Sequence, residues 1–488
     1  MSSILTNRSA MVALQTLKSI NSNLNTTQGE ISTGLKVASA KDNSSIWAIS
    51  KVMESDVKGY KGISESLGLG ESTVAVARQG AETITDLLTD IKGKIVAAQE
   101  ENVDRGKIQT DIATLRDQIT SVVNAAQFNG LNLLKGTEDV NILSSLDRAS
   151  DGSVTASNIK IARQDMSTSA GALGTGTDLS ANATLSAAAA TNAGNTATIT
   201  IATDADMSDN TMSISVGGAT LSYSAGDLSG DQDAAASLVS GALNALGIVG
   251  VTASVSTNVI TLTSTRAFED VSLSSTGATA SAATIAERAE TLSFSGSANV
   301  AEGDGYQVTV GSNAFTYVAG KGETFEDVAK GLKAAVDGGT ITDLSTQVTQ
   351  NSSGQWQLKV DNDGASSQSL ARAGAAGGTA SGGLFGLDAV DVTTNAGADA
   401  ALSNIETLIS NSIDSAAEFG SAQGRIEIQS DFIGKLTDSL KTGIGTLVDA
   451  DMEEASARLQ ALQVQQQLGV QSLSIANQSP QSILSLFR

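Results

Sequence analysis

Apolar residues recur at alternating spacings of four and three through one long stretch: Ile63, Leu67, Gly70, Val74, Ala77, Ala81, Ile84, Leu88, Ile91, Ile95 and Ala98. Near the other end Val448, Met452, Ala455, Leu459, Leu462, Gln466, Gly469, Leu473 and Ala476 follow the same rule. That spacing holds one narrow stripe on one face of a helix, so both stretches are predicted to be helices meeting partners along coiled-coil seams. A weaker stripe opens the chain, with Leu17, Leu24 and Ile31 at sevenfold spacing and Leu14 and Leu35 flanking it. Asn21 and Gln28 occupy its alternate position, where a polar residue costs stability but fixes register. This first helix is therefore expected to order only in an assembly. A loop is expected from Gly34 to Asn43 and a turn around Glu100 to Arg105. A further helix, striped by Ile108, Ile112, Leu115, Ile119, Val122 and Ala126, is expected to stop at Asn129-Gly130, where both residues tolerate positive φ.

The middle of the chain carries no such heptads. Residues 168–195 are dominated by Gly, Ala, Ser, Thr and Asn and read as a linker or loose edge structure. Beyond them MSISVGGATLSYSAG at 212–226 matches YQVTVGSNAFTYVAG at 306–320 at a constant offset, pairing Gly217 with Gly311, Tyr223 with Tyr317 and Gly226 with Gly320. A short helix is expected after each, from Asp233 and from Asp327, with Leu238 and Leu332 in register, then alternating strands at 251–265 and 346–360. Two similar α+β modules, at about 196–275 and 290–365, follow from this internal repeat. The glycine-rich run at 371–386 closes the region. Helix returns near Ala398 with Leu402, Ile405 and Ile409 and continues to Ser479, with breaks expected near Gly420 and Gly443 to Gly445. The fold class is thus multidomain: an α-helical coiled-coil core formed by both termini, with a small β element, plus inserted β-rich α+β outer domains.

Composition narrows the chemistry. The 488 residues include no cysteine and no histidine, which removes disulfides, thiolate and imidazole metal sites and the commonest general base. The net charge of −23 is uneven: 17 basic against 19 acidic groups in 1–167, 7 against 22 in 168–395, and 5 against 11 in 396–488. An acidic middle argues against nucleic acid and anionic membrane as partners. No run of about 18 apolar residues is present to cross a bilayer, so no membrane insertion is expected. The opening MSSILTNRSAMVALQTLK lacks the parts of a secretory signal, so any export is expected to take another route. The single proline, Pro480, suits a helix-rich chain.

Several segments carry a resemblance. STGLKVASAKDNSSIWAIS (Ser32 to Ser50), NAAQFNGLNLLKG (Asn124 to Gly136), GSAQGRIEIQSDF and the run from Leu447 to Arg488 resemble the conserved ends of bacterial flagellin, over roughly 1–165 and 397–488. The resemblance implies a structural subunit of the flagellar filament, exported unfolded and added at the tip of a helical extracellular polymer for swimming motility. It implies terminal helices at 1–45 and 445–488 lining the filament core, a helical tube domain at 46–167 and 397–444, and a variable outer region at 168–396. Implied partners are further copies of the chain, other flagellins, hook-associated and cap proteins, the export apparatus and a flagellin chaperone; no cofactor and no enzyme activity are implied. Asn43-Ser44-Ser45-Ile46-Trp47 stands where many flagellins have Asp-Asp-Ala-Ala-Gly, and Lys94 stands where the segment known for vertebrate immune recognition has arginine.

The candidate subunit interface is accordingly Leu14, Leu17, Leu24, Ile31, Leu35, Val448, Met452, Leu459, Leu462, Gln466, Leu473 and Ala476, and the candidate tube-domain seam is Ile63, Leu67, Val74, Ile84, Leu88, Ile91 and Ile95. Gly70 and Gly469 inside the stripes are read as points of close approach. Asp361-Asn362-Asp363-Gly364 could begin a calcium loop, but without the remaining ligands and closing glutamate it reads as a hairpin turn. Asp449, Asp451, Glu453 and Glu454 could suggest an acid/base cluster, but adjacent acidic residues on a helix point in different directions and read as a solvated face or as partners for a neighbouring subunit's lysines. Alternatives are a hook-filament junction protein, which shares the terminal helices, and an adhesin-like filament surface protein.

Overall fold

The computed structural model describes residues 7–149, 153–204, 206–339 and 341–486. The chain divides into two units, one of Met1–Ser72, Asn141–Ile161 and Ala422–Arg488, the other of Thr73–Val140 and Ala162–Ser421. Three helices come first: α1 (Arg8–Thr33), α2 (Ser44–Ala98) and α3 (Arg105–Ala125). Strands β1 (Gln127–Phe128), β2 (Leu131–Asn132), β3 (Val140–Arg148) and β4 (Val154–Ile161) follow, then the short β5 (Ala183–Leu185) and β6 (Ala189–Ala190). A first module comprises β7 (Asn195–Ile201), β8 (Met212–Val216), β9 (Ala219–Tyr223), α4 (Gln232–Ala245), β10 (Val251–Ser256), β11 (Val259–Ser264), β12 (Val271–Thr276), β13 (Ala278–Ala280) and β14 (Thr284–Ile285). A second holds β15 (Glu290–Phe294), β16 (Gly305–Val310), β17 (Asn313–Val318), α5 (Phe325–Asp337), β18 (Leu344–Gln350), β19 (Trp356–Asn362) and β20 (Gln368–Ala375). The long α6 (Asn395–Val448) and α7 (Met452–Leu486) end the described chain.

The first unit is built on an antiparallel pair, α1 against α7, and on the flanking parts of α2 and α6 with the β3–β4 hairpin. Asn7 caps α1 by accepting from the Ala10 amide at 3.0 Å, and Gly34 closes it at φ +70°. The α2 helix starts nineteen residues before Ile63 because its stripe continues backward through Tyr60, Val57, Met53 and Ser50. Ser50 is buried with its hydroxyl donating to the Trp47 carbonyl at 2.9 Å, so a polar residue stands at a seam position and hides the pattern. Gly70 lies under Ile142 of β3, where an added Cβ would come within 2.5 Å of Ile142 Cδ1, in keeping with close approach. Gln429 of α6 donates to the Ser144 carbonyl at 2.9 Å and Arg148 pairs with Asp56 at 2.6 Å.

Two expectations about helix ends need correction. The α6 helix runs unbroken through Gly420 and through Gly443 to Gly445, because a helical glycine costs only about 1 kcal/mol, and beside Gly420 the buried Phe419 and Ala422 outweigh it. The break falls at Asp449–Asp451 instead, where the Lys36 amide donates to the Val448 carbonyl at 2.7 Å and Leu35 bridges Asp449. Asp451 then caps α7, accepting from the Glu453 and Glu454 amides at 3.0 and 3.1 Å, and Asp449, Asp451, Glu453 and Glu454 are all exposed. Likewise α3 ends at Ala125, and Asn129 (φ +48°) with Gly130 (φ +81°) forms the two-residue turn of the β1–β2 hairpin.

In the second unit α2 from Thr73 onward, α3 and α6 up to Ser421 form a helical body with both modules. Ser412 of α6 donates to the Ala81 carbonyl at 3.0 Å and accepts from Thr85 at 2.9 Å, and Lys92 pairs with Glu406. Asp104 caps α3, and Gln109 of α3 bonds the Val390 carbonyl and the Val392 amide. Each module has two antiparallel four-stranded sheets over one helix. The first has orders β10-β11-β7-β13 and β14-β12-β8-β9, the second β18-β19-β15-β5 and β17-β16-β20-β6. Residues 183–190 are therefore edge strands of the second module, not a linker, and 371–375 belong to β20 rather than to a glycine-rich closing run. Ile199, Ile214, Val239 and Leu262 lie in one core, and Tyr306, Val308, Leu332 and Leu358 in the other. Hence Val239, not Leu238, is the counterpart of buried Leu332. Leu238 is exposed and stands where α5 carries Gly331, whose Cβ would collide with the Tyr317 ring at 2.2 Å.

Candidate subunit interface

The α1–α7 pair partly covers its inner side within one chain. Leu24 and Thr27 of α1, and Ala455 and Leu462 of α7, are buried, as is Val448 at the end of α6. Leu17, Ile31, Leu35, Leu459, Gln466, Leu473 and Ala476 are half-buried, whereas Leu14 and Met452 are each 44 % exposed. Gln466 donates to the Asn21 side-chain oxygen at 2.7 Å, so these two of the three polar residues in the stripes satisfy one another, while Gln28 is exposed. Gly469 lets the helices close, since its Cβ would meet Leu17 Cδ1 at 3.2 Å. At the far end Asn7 donates to the Ala476 carbonyl at 2.8 Å.

A second apolar row on the same pair has no cover. Val12, Val464, Leu468 and Ile475 are all more than half exposed, with Val464, Leu468 and Ile475 on one face of α7, and Val12, Ile20, Leu468, Gly469 and Ile475 line a shallow groove along the pair; Met11 and Val470 are exposed on other faces of their helices. Sequence reasoning missed this row because attention went to the stripe of spacing four and three. The signal was there in Val464, Leu468 and Ile475, four and seven apart on α7.

The stripe of α2 behaves differently. Ile63, Leu67, Val74, Ile84, Leu88, Ile91 and Ile95 are at most 1 % exposed, with the chain itself providing the cover. Lys94 pairs with Asp111 across α2 and α3 at 2.6 Å. Among the described residues no group of three or more acidic, His or Cys side chains is placed to hold a metal ion, and no helix is long and apolar enough to cross a membrane. Strongly shifted ionisation sits in the second module. Burial, then the neighbouring Glu323 carboxylate, pushes the Tyr317 hydroxyl well up, and burial likewise raises Glu323, which accepts from Tyr317 at 2.9 Å.

Residues 4–139 match the bacterial flagellin N-terminal helical region, and residues 402–487 the bacterial flagellin C-terminal helical region. Flagellin A of Rhizobium meliloti is 33% identical over 488 residues, covering 100% of both chains. The chain belongs to the bacterial flagellin family. Flagellin B of the same organism is 32% identical over 493 residues, again covering 100% of both. Among solved structures, flagellar hook associated protein-3 from Legionella pneumophila aligns over 81% of this chain and 98% of that one, at 10% identity and a TM-score of 0.32. This flagellin is a structural subunit of the extracellular flagellar filament, and nothing favours the hook-filament junction or adhesin-like alternatives.

Proposed function

We propose that subunits meet in the filament chiefly along the α1–α7 pair, through the uncovered row Val12, Val464, Leu468 and Ile475 together with Leu14 and Met452. The carrying observation is that Val12, Val464, Leu468 and Ile475 are each more than half exposed while Leu24, Ala455 and Leu462 of the same pair are buried. The stripe positions Leu17, Leu24, Ile31, Leu35, Val448, Leu459, Leu462, Gln466, Leu473 and Ala476 then hold the pair in the form that docks. Contacts of this kind are heterologous and repeat along a helix without closing into a ring. Residues 1–45 and 445–488 would line the filament core, 46–167 and 397–444 the surrounding tube, and 168–396 the outer surface, its two modules being copies of one ancestral repeat. The same reading makes the chain a non-enzyme that is exported unfolded and delivered by a chaperone to hook-associated and cap proteins. A charged residue at a dry interface costs several kcal/mol, on the order of the unpaired-charge penalty. The test is Val464→Asp with Leu468→Asp. Both side chains are exposed in the single chain, so the monomer keeps its circular dichroism and melting temperature while sedimentable filaments disappear. Filaments formed as readily as by the parent chain would remove this face from the interface.

A further inference from the structure

The two modules share one strand order but are threaded differently. In the first, the edge strands β13 and β14 follow β12 directly, whereas in the second the equivalent edges, β5 and β6, come before the first module begins. The chain therefore leaves the second module after Ala190, builds the first whole, and returns before Glu290. The neck consists of two crossings, residues 191–194 outward and 286–289 back.

Polar ties between the modules converge on that neck. Asn362 of β19 donates to the Ala190 carbonyl at 3.0 Å, holding the outgoing strand. The adjacent Asp361, fully buried, receives two bonds from Arg288 on the returning segment, from Nε at 2.8 Å and Nη2 at 2.5 Å, and Asp363 receives a third. On the side of the first module Asn195 donates to the Glu287 carbonyl at 2.7 Å, joining the two crossings, while the Arg288 amide donates to the Arg266 carbonyl at 2.8 Å. Lys359 pairs with Glu287 at 2.6 Å. The Asp361-Asn362-Asp363-Gly364 run is thus occupied by the neck, with Gly364 closing its turn on Asn362 at 2.9 Å. A forked guanidinium matched to a buried carboxylate is directional in a way a flexible ammonium is not. Hydrogen bonds to Asp361 hold the Arg288 pKa above its ordinary value despite burial.

We propose that Arg288 and the Asp361-Asn362-Asp363 run form an orientation latch that fixes the inserted first module on the second, and that opening the latch turns the neck into a hinge while both modules stay folded. Each module has its own core and its own edges, so the neck governs direction rather than folding.

The chain has no cysteine, so spin labels can be placed at Ser254→Cys and Gln347→Cys, exposed positions on β10 and β18, in the full chain. Pulsed dipolar spectroscopy is expected to give one narrow distance peak with Arg288 present and a distribution broadened about twofold or more in Arg288→Met, the signature of a hinge released. Arg288→Met with Asp361→Leu removes both charges together, so no buried carboxylate is left unpaired should the single variant fold poorly; it too is expected to be broad. Amide exchange in β8 and β16 should match the parent in the double variant. A narrow peak in the double variant, a broad one in the parent, or lost protection in both modules would overturn the latch.

Discussion

The stripe from Val74 to Ala98 and the stripes of the α1–α7 pair follow one sequence rule, yet they finish differently. Along the first, every apolar position is covered by the chain itself. Along the second, only Leu24, Ala455 and Leu462 are fully buried, most of the other inner positions are half-buried, and an outer set of large apolar side chains stays exposed. The difference teaches that a heptad announces a seam without saying who supplies the other side. Residues beside the seam decide that: Lys92, Lys94 and Gln99 flank the closed stripe and find partners within the chain, whereas Val464, Leu468 and Ile475 flank the open one.

The contrast predicts the largest gap in stability between truncations in the two places. Leu88→Ala should cost about 2–5 kcal/mol in urea unfolding of the monomer, the range for a cavity in a closed core. Leu468→Ala should stay within about 0.5 kcal/mol, as for an exposed site. Similar losses at both would erase the distinction. A smaller effect sharpens it within the first unit: Gly70→Val must displace Ile142, an overpacking cost of about 1–3 kcal/mol readable as an earlier urea midpoint. Gly469→Ala, with a contact at 3.2 Å and a helical residue that is a better former, should be nearly neutral in the monomer.

Smaller again is the polar pair in the open seam. Asn21→Leu leaves Gln466 without its partner and should lower stability of the monomer by about 1 kcal/mol, while Asn21→Leu with Gln466→Leu should recover it in thermal melts. Failure of the double variant to recover would mean the pair is not coupled. The least effect is one of pH. Because burial raises Glu323 above its unfolded value, its favourable contribution is full below the ordinary carboxylate range and is lost as pH rises through the raised value. Glu323→Gln should therefore flatten the fall in melting temperature of the second module between acid and neutral pH; an unchanged slope would contradict the assignment.

Much of this was legible from residue spacing, because a helical stripe is a local signal that tertiary context only completes. The apolar spacing from Ile63 to Ile95 marks positions that are buried in the structure, and the stretches at 212–226 and 306–320 each contain a strand hairpin. What escaped was set by nonlocal or single-residue effects. The hairpin-to-helix loop is one residue shorter in the second module, Tyr317 to Thr324 against Tyr223 to Asp231, so a constant offset misplaced Leu238 against Leu332. Strands β5 and β6 are two or three small residues long, and only pairing with β15 and β20 makes them strands. The open row of α7 shares its helix with a regular stripe, and the stronger period masked it.

The account rests on the α1–α7 pair being the surface that polymerisation covers. Amide hydrogen exchange, measured by mass spectrometry on monomer and on filament, reads this directly. Protection should rise by orders of magnitude over residues 8–33 and 452–478 on assembly, as opening there becomes linked to losing a subunit, and change little over 84–98, already closed in the monomer. Equal gains in both segments, or none at the ends, would contradict it.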